Sequence, residues 1–333
     1  MKKRVYLFVV FSCISCFAAA QALSDTAILK RTPGIYSLLL SKNDKIVYEQ
    51  YFNQQDKNTL FNDQSLTKSV VSLLIGIAID KGYIKSVDEK LTDFFPQLKT
   101  DKDKRKQQIT LRQVMNQASG LYHEDLEKLG DWLHIADPAN YVIKAPLTSD
   151  PGKVFHYSNA ASHLLSVILT KSTRMDTKAF ADKYLFGPLN IKSYEWEKMR
   201  DGYYDGSGLL SIRLRSADML KLGLLVLHKG KYGKAQVVSQ AWVNATINPT
   251  ITYPTPWGFE QSAYALCWYH KVYNGAAITY ALGWGGQFMF IIPSLNAVVM
   301  VNQPVEDSEA IKRANSLIYK LFPAIFKELN PQK

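Results

Sequence analysis

The sequence predicts an α/β (α+β) fold. One antiparallel sheet is built from both chain ends and flanked by helices, with a mostly helical domain inserted between them. Three observations predict it. Two apolar runs near the N-terminus, 34–40 and 46–51, are joined by the turn-forming Ser41-Lys42-Asn43-Asp44, which is a β-hairpin pattern. Four apolar runs near the other end, 263–272, 276–281, 287–292 and 297–302, are separated by Gly, Pro and Asn, as strands are. Between the two sets, residues 87–196 carry apolar side chains at helical spacing, clearest over 109–116 and 160–171. Distant chain ends share a sheet when the middle loops out as an insertion. The expected divisions are therefore 21–80 with 200–333 for the sheet domain and 81–199 for the helical one, with a site in the cleft between them.

Three helices complete the sheet domain. Residues 64–80 contain Val70, Val71, Leu73, Leu74, Ile75, Ile77 and Ile79, so this helix is apolar nearly all round and is expected to be buried, with Asp63 as its N-cap and Gly82 ending it. Residues 211–229 and 309–321 are the other two.

The first twenty residues differ from the rest. Lys2, Lys3 and Arg4 precede an apolar run over 5–14, and Ala18, Ala19 and Ala20 follow, which is the layout of an export signal cleaved near Ala20 or Ala22. The run is short for a membrane span. A lipid-modified Cys13 or Cys16 is the minor alternative. Removing residues 1–20 lowers the net charge from +11 to +8, because three basic residues leave and no acid does. A basic exported protein can associate with anionic envelope polymers, but the scattered Lys and Arg fit solubility better, and no nucleic-acid motif accompanies them. Cys267 is then the one cysteine left, in an apolar stretch that suits a buried small hydrophobe.

Three motifs carry chemistry. Ser65-Leu66-Thr67-Lys68 places a hydroxyl and an amine on one helix face, where burial disfavours the charged amine and equips it to take the serine proton. Tyr157-Ser158-Asn159 follows a turn at Asp150-Pro151-Gly152-Lys153; a tyrosine can shuttle a proton, and Asn159 can orient Lys68 or a substrate carbonyl. Gly283-Trp284-Gly285-Gly286-Gln287 leads into a strand; its glycines admit close backbone approach to a substrate and an amide for an oxyanion hole, and the same residues also suit a plain tight turn. His123, Glu124, Asp125 and His134 lie on a loop bordering the cleft without metal-ligand spacing, so neither a metal nor a cofactor is expected. His163, His228 and His270 read as structural, and no G-x-S-x-G surrounds any serine.

In this order the three motifs resemble those of the class C β-lactamase and penicillin-binding-protein superfamily of serine hydrolases: S-x-x-K, then Y-x-N, then a K-T-G-like strand. The resemblance runs from about 34 to 301. It includes Ile109-Thr110-Leu111-Arg112-Gln113, Ala118-Ser119-Gly120-Leu121 and Leu185-Phe186-Gly187-Pro188-Leu189. Ser65-Leu66-Thr67-Lys68-Ser69 and Trp284-Gly285-Gly286 are most similar to the esterase and 6-aminohexanoate-dimer hydrolase branch. The resemblance implies an α/β sandwich with a helical insertion, an acyl-enzyme on Ser65 with Lys68 and Tyr157 moving protons, and substrate contacts at Asn159, Trp284, Gly285, Gly286 and Gln287. The expected partner is a small ester, amide or peptide. The sequence departs from the pattern at Trp284, where β-lactam-recognising members carry a Lys or His for a substrate carboxylate. This favours an ester or uncharged amide over a β-lactamase or DD-peptidase, and retention of all four polar motif residues disfavours a non-catalytic sensor.

Protein from the native host should be exported, with its N-terminus near Gln21 or Leu23. N-terminal sequencing checks this; a modified Cys13 or Cys16 as first residue would make it a tethered lipoprotein instead.

Overall fold

Asn43 and Asp44 both adopt left-handed φ, 50° and 63°, the conformation of a two-residue hairpin turn whose twist matches its strands. They join Ser37–Lys42 to Lys45–Tyr51, and this hairpin forms one edge of an eight-stranded antiparallel sheet. The computed structural model describes residues 24–124, 129–305 and 308–331; the stretch expected to be an export signal, 1–20, and Asp125 lie outside them. From the hairpin edge the sheet continues through Ala297–Asn302, Gln287–Ile292, Ala276–Gly283, Trp268–Tyr273, Ala263–Ala265 and Tyr253–Pro254. Ser37 to Lys42 pair with Asn302 to Ala297, so the two chain ends meet in mid-sheet.

Every residue of Gln287–Ile292 and Ala297–Asn302 is buried, because the sheet is covered on both faces. One face carries Leu38, Leu40, Phe288, Phe290, Val299 and Val301 against Ile28 and against Leu317, Leu321, Phe322 and Ile325 from the C-terminal helical segments. The other carries Leu39, Met289, Ile291, Val298 and Met300 against the helices Leu66–Asp80 and Ser216–Leu227. That second core continues into the helical region, where Asn159–Thr173 packs on Leu66–Asp80.

Three expected elements differ in detail. The helix expected over 211–229 begins only at Ser216, because Ile212–Leu214 is a strand between Phe61–Asn62 and Tyr194–Trp196 in a second, three-stranded sheet. The strand expected over 263–272 breaks at Leu266 and Cys267, both at positive φ, where their carbonyls accept from Ser72 Oγ and Ser69 Oγ, each at 2.7 Å. The closing helix is Ala310–Ser316, followed by a wider turn and Phe322–Leu329. No helix among the described residues is long and apolar enough to cross a membrane.

Gly76 on the buried helix faces the ring of Trp242, and a Cβ there would stand 2.3 Å from Trp242 Cδ1. Gly76→Ala should overpack this contact and cost about 1–3 kcal/mol. A lower melting temperature is the expected readout; an unchanged one would show that the helix Gln240–Ile247 yields freely.

Candidate active site

The site begins with a backbone reversal. Gln64 sits at φ 52°, a left-handed conformation that is uncommon for a side-chain-bearing residue, and it turns the chain into the helix Leu66–Asp80. Asp63 therefore falls outside capping reach. The residue in the cap position is Ser65, which makes no side-chain capping bond, and the Asp63 carboxylate instead accepts from Leu214 N and Asn302 Nδ2, each at 3.2 Å. Two glycines press on the reversal. A Cβ on Gly208 would stand 2.5 Å from Gln64 O and 2.9 Å from Ser65 Cα, and one on Gly283 would stand 2.4 Å from Asp63 O.

One helical turn on, Lys68 is 1% exposed. Its Nζ lies 3.0 Å from Ser65 Oγ and donates to Asn159 Oδ1 at 2.7 Å and to the main-chain carbonyl of Ser207. The same Nζ stands 4.8 Å from the centre of the Tyr157 ring. Ser65, Lys68, Tyr157 and Asn159 are thus brought together from two distant motifs. Below Tyr157, burial first of all holds the phenols of Tyr264 and Tyr269 well above their usual range, so those two remain neutral packing residues.

The Tyr157-Ser158-Asn159 segment is held from several sides. Gln117 Oε1 accepts from Ser158 N at 2.7 Å, and Ser158 Oγ donates to Tyr122 O at 2.9 Å. Glu124, expected on a cleft-bordering loop, accepts from Asn159 N and Ala160 N at 2.7 and 3.1 Å; it is a buried carboxylate on the first donors of a helix, where negative charge is favoured. The rings of His123 and His156 meet at 4.6 Å beside this segment, and burial followed by His123 lowers the His156 pKa. His270 is pushed down to about 4 by burial. Cys267 is buried, as expected, and its thiol is pushed up to about 12, chiefly by that burial.

The third motif divides. Trp284 is 47% exposed. Gly285 and Gly286 have φ 81° and 94°, and Cβ atoms on them would meet Pro304 O and Gln303 Nε2, so their conformation is demanded by a tight turn packed on 303–304. Gln287, expected at the substrate, is fully buried. Its Nε2 donates to Gln303 O at 2.7 Å, and its Oε1 accepts from Asn302 Nδ2 and Gln303 N, each at 3.1 Å. A side chain so engaged has no group to offer a substrate, and of Gln287 only the main-chain amide is left for the expected oxyanion role.

Sequence reasoning missed Asp205, Ser207 and Gly208. Their stretch, Asp205-Gly206-Ser207-Gly208, does advertise a turn. That a carbonyl within it reaches Lys68 has no signature, because every residue type carries a carbonyl.

A family model described as Beta-lactamase matches residues 20–319. The chain is 26% identical over 229 residues to Beta-lactamase-like protein 2 of Dictyostelium discoideum, covering 63% of this chain and 39% of that one. It is 30% identical over 175 residues to Beta-lactamase-like protein 4 of the same organism, covering 45% and 31%. The chain therefore spans well under half the length of these curated relatives. Among solved structures it resembles a Bacillus anthracis protein assigned as a 6-aminohexanoate-dimer hydrolase, with TM-score 0.72, 18% identity and 93% and 84% of the two chains covered. It also resembles the D-amino acid amidase of Ochrobactrum anthropi SV3, with TM-score 0.69, 17% identity and 93% and 99% covered.

Gly208→Ala should force the Gln64–Ser65 turn aside, since both its positive φ and its contact with Ser65 oppose a side chain. A misplacement of about 1 Å at a reacting group costs on the order of 10² in rate, so turnover should fall by that order in folded protein. Wild-type turnover would show that the turn tolerates displacement.

Proposed function

The chain belongs to the Beta-lactamase family, and on that premise we propose that it is an exported serine hydrolase that cleaves a neutral ester or uncharged amide through an acyl-enzyme on Ser65. The observation that carries the proposal is the set of oxygens around Lys68 Nζ. Asn159 Oδ1 and Ser207 O carry no hydrogen and can only accept. The third neighbour, Ser65 Oγ at 3.0 Å, is the only one of the three with a proton to give, and the role assigned to Lys68 is to take that proton when its amine is neutral.

In the reaction that follows, Ser65 Oγ attacks the substrate carbonyl carbon and its proton passes to Lys68 Nζ. The Ser65 N–H at the head of the helix is a donor for the developing oxyanion. The tetrahedral adduct collapses with cleavage of the bond to the leaving alcohol or amine. That group receives its proton through Tyr157, whose ring adjoins Lys68. Water then adds to the acyl carbon and gives its proton back through the same groups, releasing the acid and regenerating Ser65.

The preference for uncharged substrates rests on Trp284 and on where the nearby cations go. Lys271 Nζ donates to Glu260 O at 2.7 Å, and Arg213 lies 3.8 Å from Glu195 on its neighbouring strand. Both cations thus have partners of their own, which supports the reading that neither replaces the missing carboxylate-binding cation. A charge-assisted hydrogen bond to substrate is worth about 1.5–3 kcal/mol, so anionic substrates lose roughly ten- to a hundredfold or more. A second reading, β-lactamase or DD-peptidase activity, draws on the family membership itself.

Ser65→Ala should abolish both fluorophosphonate labelling and p-nitrophenyl ester turnover while leaving the fold intact; near wild-type turnover would sink the assignment. Short-chain neutral esters should be cleaved much faster than nitrocefin, and Trp284→Lys should raise the nitrocefin-to-ester ratio. High wild-type nitrocefin turnover, unchanged in that variant, would promote the β-lactamase reading.

A further inference from the structure

The carbonyl that receives Lys68 sits in a loop built around one buried carboxylate. Asp205 is fully buried, and its two oxygens accept four main-chain N–H groups: Oδ1 from Ser207 at 2.7 Å, and Oδ2 from Gly208, Leu210 and Ser211 at 2.9, 3.0 and 3.1 Å. These bonds fix the peptide whose carbonyl, Ser207 O, accepts from Lys68 Nζ. Behind Asp205 stands His163, also fully buried. Its Nε2 donates to Asp201 Oδ2 at 3.0 Å, and its Nδ1 lies 3.7 Å from Asp205 Oδ1 and 3.3 Å from Gly206 N. Trp132 closes the far side of the ring, edge-on at 6.0 Å. No direct contact links Asp205 to Ser65, Lys68 or Tyr157 among the bonds of the described residues, so any effect on chemistry must pass through the loop backbone.

We propose that Asp205 is a positioning residue for the acyl-transfer reaction: it sets the Ser207 carbonyl that holds Lys68 Nζ, and His163 locks Asp205 from behind. The proposal rests on the assignment of Lys68 as the group that takes the Ser65 proton. Burial by itself would raise the Asp205 pKa, but His163 and the main-chain donors bring it down to about 2; the carboxylate therefore stays charged and accepting throughout the working range. Against the opposing effect of burial, the two carboxylates raise His163 to about 9. A carboxamide at 205 keeps the shape but turns an NH2 group toward main-chain donors, which removes acceptor sites.

A double-mutant cycle tests this, using full-length protein, ester kinetics and the rate of Ser65 labelling by a fluorophosphonate. Asp205→Asn should lower kcat and the labelling rate about ten- to a hundredfold, with KM within twofold. In a Lys68→Ala background the same substitution should change the labelling rate by less than twofold, because the group it positions is gone. A general packing role would lower the rate in both backgrounds alike, and that result, or no loss in either, overturns the proposal. If Asp205→Asn does not fold, His163→Gln is read in the same cycle, since it removes the imidazole behind Asp205 without changing the carboxylate; a smaller loss, again confined to the Lys68 background, is expected, and an equal loss in both backgrounds, or none, overturns the proposal. Wild-type activity in Lys68→Ala alone would instead reject the reading of the site, whatever Asp205 does.

Discussion

A lysine amine with almost no access to water governs this structure. Removing such a group from solvent is costly unless oxygens replace its hydration. Here the oxygens come from Ser65, Asn159 and Ser207, three segments far apart in the chain. The helix Leu66–Asp80, the helical region and the loop ahead of Ser216–Leu227 must all arrive at one point for Lys68 to be buried at all. That demand makes the site a meeting place of elements rather than a decoration on one of them. Lys68 lies one turn into its helix and Asn159 is the first residue of another, so two helix ends converge there. Glu124 and Ser158 satisfy the leading donors of the second, at Asn159, Ala160 and Ala161.

Strain and close packing hold the hydroxyl beside that amine. Gln64 adopts a backbone conformation that costs of order 1–3 kcal/mol for a residue with a side chain, and Gly208 and Gly283 press on the reversal from two sides with no room for a Cβ. Ser65 consequently stands at the cap position with its hydroxyl turned to Lys68 rather than to the helix's own amides.

Behind the reversal lies a second polar layer. Asp63, Asn302, Gln287 and Gln303 form a continuous buried set of hydrogen bonds, joined by Ser37 and Ser216 at Asn302 Oδ1. Burial holds the Asp63 carboxyl pKa well above its ordinary value. The set ties the reversal at Gln64 to the Trp284 turn, whose carbonyl Gln287 also reaches at 3.3 Å. The two walls of the site are thereby braced through the sheet, since Asn302 ends the strand that pairs with Ser37.

The sequence by itself determined what depends on local pattern. Turn chemistry at Asn43-Asp44, apolar strands at both ends and an all-apolar helix at 64–80 are properties of neighbouring residues, and each appears as a structural element near its expected position. Ser65 and Lys68 were legible because three residues on a helix is a fixed geometry, and Tyr157 and Asn159 because they share a short motif. Tertiary structure decided everything that a neighbour far along the chain imposes. The Gln287 side chain looked free to meet a substrate beside two glycines, but residues 302–303 claim its side-chain amide. Asp63 looked like a cap, but the reversal at Gln64 carries it to Leu214 and Asn302. Ser207 carried no signal, because its carbonyl becomes a partner for Lys68 only when Asp205 folds the loop around itself. Hydrogen bonds between segments some 140 residues apart, such as that from Lys68 to Ser207, depend on where the chain returns in space, and no spacing along the sequence encodes that return.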